Sequence, residues 1–126
     1  MNPPPVAVGL MLCQYVHFEE GDSRNATLVG CFRQLGVESF PATPQFYLYA
    51  VLTNAVGHAT IKVLIESLDS GEVLFSRSAP AHFDNKLSTM QVSLRVAQCS
   101  FDSPGWYQVT LLVDEEWVAQ RRLRVY

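Results

Sequence analysis

The chain has 126 residues, 48% of them apolar, 17% charged and 11% aromatic, which suffices for one hydrophobic core and not for two. That composition excludes wholesale disorder, and no apolar run approaches the roughly 18 residues of a membrane helix. Twelve acidic against nine basic side chains give a formal charge of -3, which excludes the broad basic field that non-specific nucleic-acid binding requires.

Met1-Asn2-Pro3-Pro4-Pro5 opens the chain. Residues 1–6 read as a short polyproline lead-in to a single domain over residues 7–126. No Lys or Arg precedes Arg24, and Gln14-Tyr15-Val16-His17 is a poor cleavage region after the apolar stretch Val6 to Cys13. A secretory signal needs both features, so the expected compartment is the cytoplasm.

The first predicted strand runs from Val8 to Phe18 and ends at Glu19-Glu20-Gly21-Asp22-Ser23. The second runs from Thr27 to Leu35, followed by a loop carrying Phe40-Pro41 and Thr43-Pro44. Gly30 and Gly36, with no cap ahead of them, argue against a helix over Val29 to Glu38. The third strand, Gln45 to Thr53, is apolar on both faces: Phe46, Leu48, Ala50 and Leu52 oppose Tyr47, Tyr49 and Val51.

After a turn at Asn54 to His58, the segment Ala59 to Leu68 alternates, and Asp69-Ser70-Gly71 makes a tight turn into Val73-Leu74-Phe75. Ala79 to Ser88 is polar and turn-rich and reads as irregular. Met90, Val92, Leu94 and Val96 line one face of the next strand. Tyr107, Val109, Leu111 and Val113 repeat the pattern after Pro104-Gly105, and Asp114-Glu115-Glu116 turns the chain into a last strand carrying Trp117, Ala119, Leu123 and Val125.

Short strands joined by short turns predict an all-β, two-sheet antiparallel sandwich of the immunoglobulin-like Greek-key kind, with about eight strands and little or no helix. Its crossings between sheets fall in the two longer connections, residues 36–44 and 78–88. The predicted shared core is Ile61, Val63, Met90, Val92, Leu94, Val109, Leu111 and Trp117. A Tyr at the start of a strand after Pro-Gly can bury its ring while its hydroxyl bonds loop backbone, which is the role expected of Tyr107.

Taken in order, several segments carry a family resemblance: Leu12-Cys13-Gln14-Tyr15, Leu28-Val29-Gly30-Cys31-Phe32, Phe40-Pro41, Tyr47-Leu48-Tyr49-Ala50, Pro104-Gly105-Trp106-Tyr107 and Val113-Asp114-Glu115-Glu116. The chain resembles a family of small uncharacterised bacterial proteins with an immunoglobulin-like or C2-like β-sandwich. The resemblance implies the fold and no activity. The Cys-Trp-Cys arrangement of antibody domains is missing.

No catalytic constellation emerges, so no enzyme and no cofactor are predicted. His17, His58 and His82 lack the paired spacing of a metal site, and no nucleophile elbow is present. Asp69, Asp84, Asp102 and Asp114 are single acids on separate turns, whereas a hard cation wants several converging oxygens, and turn chemistry explains Asp69 and Asp114 without one. Cys13, Cys31 and Cys99 are odd in number and read as small buried hydrophobes in preference to a Cys13–Cys31 bridge. Arg121, Arg122 and Arg124 form the only basic cluster: 122 and 124 share a face with Gln120 and Tyr126, while 121 shares that of Trp117 and Leu123. They read as charges guarding a terminal strand against edge pairing, ahead of a contact for an acidic partner or phosphates.

The outer face of the third strand remains. Tyr47, Tyr49 and Val51 there suit a protein interface unless residues 78–88 fold over them. The predicted function is therefore a non-catalytic interaction or structural module, a small subunit of a bacterial assembly. Its partner is another protein chain, a second copy included, with no nucleic acid and no membrane insertion. The alternative is a small-ligand or ion-binding sandwich with its site in the end loops.

Overall fold

A computed structural model describes residues 5–19, 22–85, 87 and 89–126. Most of the proline-rich lead-in, and the middle of the turn between Glu19 and Ser23, lie outside the described residues. Strands β1 (Val6–Glu19), β2 (Asp22–Cys31), β3 (Gln34–Leu35), β4 (Phe46–Thr53) and β5 (Gly57–Ser67) come first. β6 (Val73–Phe83), β7 (Met90–Val96), β8 (Gly105–Val113) and β9 (Glu116–Val125) follow, and no helix occurs among the described residues. They form a four-stranded sheet in the order β2-β1-β4-β7 and a five-stranded sheet in the order β3-β9-β8-β5-β6. The two pack face to face as a sandwich.

Three antiparallel hairpins, β1-β2, β5-β6 and β8-β9, stay within one sheet, and the other connections carry the chain across. The hairpin β8-β9 turns on Asp114 and Glu115, both at positive φ (51° and 65°), as a two-residue turn matching strand twist requires. Asp114 Oδ1 accepts a hydrogen bond from Thr60 N at 2.9 Å, which ties this turn to β5.

Period-two alternation decides which side chains meet between the sheets. Leu10, Leu12, Leu48, Ala50 and Leu52 from one sheet join Val63, Ile65, Val109, Leu111 and Leu123 from the other in one buried cluster. Of the predicted core, Ile61, Val63, Val109 and Leu111 are buried, while Met90, Val92 and Leu94 are half-buried and packed against it. Trp117 is the exception, 60% exposed. The register explains it: Leu111 faces Ala119 but Leu112 faces Trp117, so Val118 is an extra residue in a bulge. A bulge reverses the alternation beyond it, and Trp117 therefore lies outside with Leu112.

Two further corrections concern strand limits. Residues 79–83 belong to β6 and pair with residues 57–61 of β5, although Pro80 and small polar neighbours hide the pattern; an edge strand tolerates proline. Beyond Cys31 the second predicted strand breaks and resumes as the two residues of β3, now in the other sheet. β3 pairs parallel to β9, with Gln34 opposite Arg124 and Leu35 opposite Val125.

That change of sheet closes one side of the sandwich. β2 covers the edge of β1 only from Cys13 onward, and other groups continue its ladder. Phe32 N donates to Leu12 O at 2.9 Å, and Arg121 Nη1 donates to Leu10 O at 2.7 Å and lies 3.2 Å from Met11 Sδ. Arg121 thus points inward with Leu123 and spans the gap between the sheets; it does not share the face of Trp117. The opposite side stays open. There β6 and β7 are both edge strands, and a groove of about 230 Å³ runs between them over Ile61, Val63, Ala79, Met90, Val92 and Leu94.

The corner before β8 forms as the residues suggest. Tyr107 is buried, its ring meets Phe101 edge-on at 4.8 Å, and its hydroxyl donates to the backbone oxygen of Ser103.

Candidate functional site

The outer face of the four-stranded sheet is assembled by register. Cys31, Cys13, Tyr47 and Arg95 form one row across β2, β1, β4 and β7, and Met11, Tyr49 and Ser93 form the next. Val51 stands opposite Gln91, and Tyr15 opposite Val29. Tyr15 stacks on Tyr47 with ring centroids 5.6 Å apart and planes 16° from parallel. The Tyr49 hydroxyl donates to Gln91 Oε1 at 2.8 Å. These contacts leave Tyr47, Tyr49 and Val51 half-buried, while Tyr15 and Val29 remain 45% and 48% exposed. Residues 78–83 are held in β6 of the other sheet and do not fold over this face.

Sequence reasoning found three members of this surface and missed Tyr15 and Val29. Both lie in segments that it read as strands, and their alternation was visible. The missing information was that β1 is the neighbour of β4, which is a long-range pairing.

The thiols divide. Cys13 and Cys99 are buried, and all three cysteines are free. Burial, reinforced by the neighbouring Cys31, pushes the Cys13 thiol up, and burial alone pushes Cys99 up to about 12. Cys31 is exposed, a correction to its expected burial. It ends β2 on the outer face, where no layer covers it.

The histidines and acids are placed differently from their sequence pattern. His58 and His82 are register partners on β5 and β6, with ring centroids 4.5 Å apart, and His82 Nε2 lies 3.2 Å from Asp84 Oδ1. Their separation of 24 positions gave no hint of this pairing. Among the described residues no three His, Cys, Asp or Glu side chains converge as a metal site would need.

The arginines of β9 also divide. Arg122 and Arg124 lie with Gln120 on the outer face of the five-stranded sheet, opposite Gln108 and Trp106 of β8. Arg33, just before β3, joins them at the edge of a shared cleft.

The sequence model of a family of unknown function, DUF6941, matches residues 9–126, nearly the whole sandwich. The chain belongs to the DUF6941 family. No curated protein matches it. Among the described residues no helix is long and apolar enough to cross a membrane.

Proposed function

We propose that this DUF6941 chain is a non-catalytic interaction module whose outer face around Tyr47, Tyr49 and Val51 binds another protein chain, a second copy or a different subunit. One observation carries the reading. A continuous aromatic and apolar surface spans β2, β1 and β4 on the side of the sheet away from the core, and Tyr15 and Val29 leave it open to a partner. Tyrosine supplies large contact area at small entropic cost and keeps a polar tip for the rim. An immunoglobulin-like Greek-key topology, supported by the crossings between sheets, belongs to the same proposal, as do a bacterial source and action in the cytoplasm.

The test is a pair of charge substitutions. Tyr49→Asp places an unpaired charge at the centre of the face, and Tyr15→Asp places one at its more exposed margin. Burying such a charge in an interface costs a few kcal/mol, on the order of 2–5. On a solvated surface the same change shifts stability by about 0.5 kcal/mol or less. The expected result is loss of self-association in light scattering, or of a specific cross-linked partner, with the thermal transition of Tyr15→Asp kept. Assembly and cross-linking that survive both changes would remove this face from consideration.

A further inference from the structure

The five-stranded sheet carries a second surface of opposite character. A cleft of about 470 Å³ on its outer side is lined by Arg33, Arg122 and Arg124 together with Gln34, Gln120 and Trp106, and Arg121 borders it from the edge while its guanidinium turns inward to Leu10 O. Three of the chain's nine basic residues thus face one place, with Arg121 at its border, on a protein of net charge -3. Among the described residues no Asp or Glu lines the cleft, and none of these arginines has a carboxylate partner. Arg121 donates to the Leu10 backbone oxygen, and the Arg124 guanidinium lies over the Tyr126 ring, 5.8 Å from its centroid. Concentrated guanidinium charge without counter-charge is unfavourable in a resting protein and favourable where an anion is to be bound.

The spacing says which anion. Arg122 and Arg124 are alternate residues of one strand on one face, so their side chains leave the backbone about 7 Å apart. An extended peptide repeats its own side chains at the same interval. The two Gln side chains can donate further hydrogen bonds, and Trp106, 49% exposed, offers an indole face beside Arg124, its register partner. β9 is polarised along its length, with Glu116 at its start, Glu115 in the turn just before it and the arginines at its end. A long polyanion would have to continue past those acids, whereas a short segment would not.

We infer that this cleft binds a short, extended acidic segment of a partner protein, with alternate carboxylates on Arg122 and Arg124. The site lies on the opposite sheet from the tyrosine face and does not depend on it. The guarding role expected of these arginines is only part of their use: β3 already covers this end of β9, so protection of a bare edge leaves the outward-facing charge unexplained.

The experiment uses the full chain and a fluorescein-labelled peptide of eight glutamates, followed by anisotropy at low salt and again at higher salt. Saturable binding that weakens with salt is expected. The Arg122→Gln/Arg124→Gln double variant should lose about tenfold in affinity, with its thermal transition unchanged. Arg33→Gln should lose less. Arg95→Gln, on the other sheet, should bind like the parent. In a Trp117→Phe background the remaining indole, Trp106, should change its emission on titration. Failure of the peptide to bind, or equal binding by the double variant, would overturn the inference. So would tighter binding of a twelve-nucleotide single strand through the same arginines, since the occupant would then be nucleic acid. A Tyr49→Asp protein that no longer assembles but still binds the peptide would leave this site standing by itself.

Discussion

The two long sides of the sandwich are built from similar strands and end differently. Where β1 and β9 meet, the chain itself changes sheets, Phe32 and Arg121 satisfy the free carbonyls of β1, and Leu12, Phe46, Leu123 and Val125 are buried. Where β6 and β7 meet, the chain crosses only after β6 has ended, and a groove runs along the two edges. Met90, Val92 and Leu94 alternate as regularly as any core strand, yet they stay half-buried along a groove. Alternation chooses which face of a strand turns inward; closure of the side decides how dry that face becomes.

A matched pair of truncations gives the largest effect and tests this contrast directly. Leu123→Ala, on the closed side, should cost about 2–5 kcal/mol in denaturant unfolding, because the cavity it leaves is sealed. Leu94→Ala, on the open side, should cost under about 2 kcal/mol, since water already reaches that side chain and refills the space. Equal losses at the two positions would break the comparison.

A smaller effect probes the polar part of the closure. Arg121→Leu keeps the apolar stem and removes the donor to Leu10 O, and an unsatisfied backbone oxygen there costs about 1–3 kcal/mol. Arg121→Lys, which restores a donor of similar reach, should recover part of it. If Arg121→Leu unfolds at the parent's denaturant concentration, the guanidinium is an ornament of the edge and the apolar contacts alone hold that side.

The smallest perturbation leaves stability untouched and reads accessibility. Brief alkylation of the native protein, followed by mass spectrometry, should label Cys31 alone. Cys13 and Cys99 are buried, and their raised pKa values keep them protonated at neutral pH, so little thiolate is present to react. Labelling of Cys99 at a rate similar to Cys31 would show that the core opens far more readily than its packing implies.

The parts of this fold that were legible in the sequence are those governed by local period. Ala59 to Leu68, Met90 to Val96 and Tyr107 to Val113 announce themselves by alternation, and the corner role of Tyr107 follows from its Pro-Gly neighbour. The misplaced elements are those where pairing overrides period. The bulge at Val118 turns Trp117 outward, an effect no local pattern shows. Two residues of β3 are too few to show a period at all, and β6 beyond Ser78 is a strand because β5 pairs with it, in spite of Pro80. The tyrosine face was half legible, since Tyr47 and Tyr49 stand out while Tyr15 joins them only through the β1-β4 register. The arginine cleft was legible as a cluster at 121–124 and illegible as a site, because Arg33, Gln34 and Trp106 reach it through β3 and β8.

The closed seam has a consequence for the order of events in folding. β1 leaves the ribosome first and can pair early with β2 and then β4, but its carbonyl at Leu10 waits for a partner 111 positions away. β3 likewise has no neighbour until Arg124 and Val125 emerge. Contacts of such sequence separation are slow to find. The seam therefore joins the parts of the chain that lie farthest apart in sequence, and the last strand is the slider that shuts it.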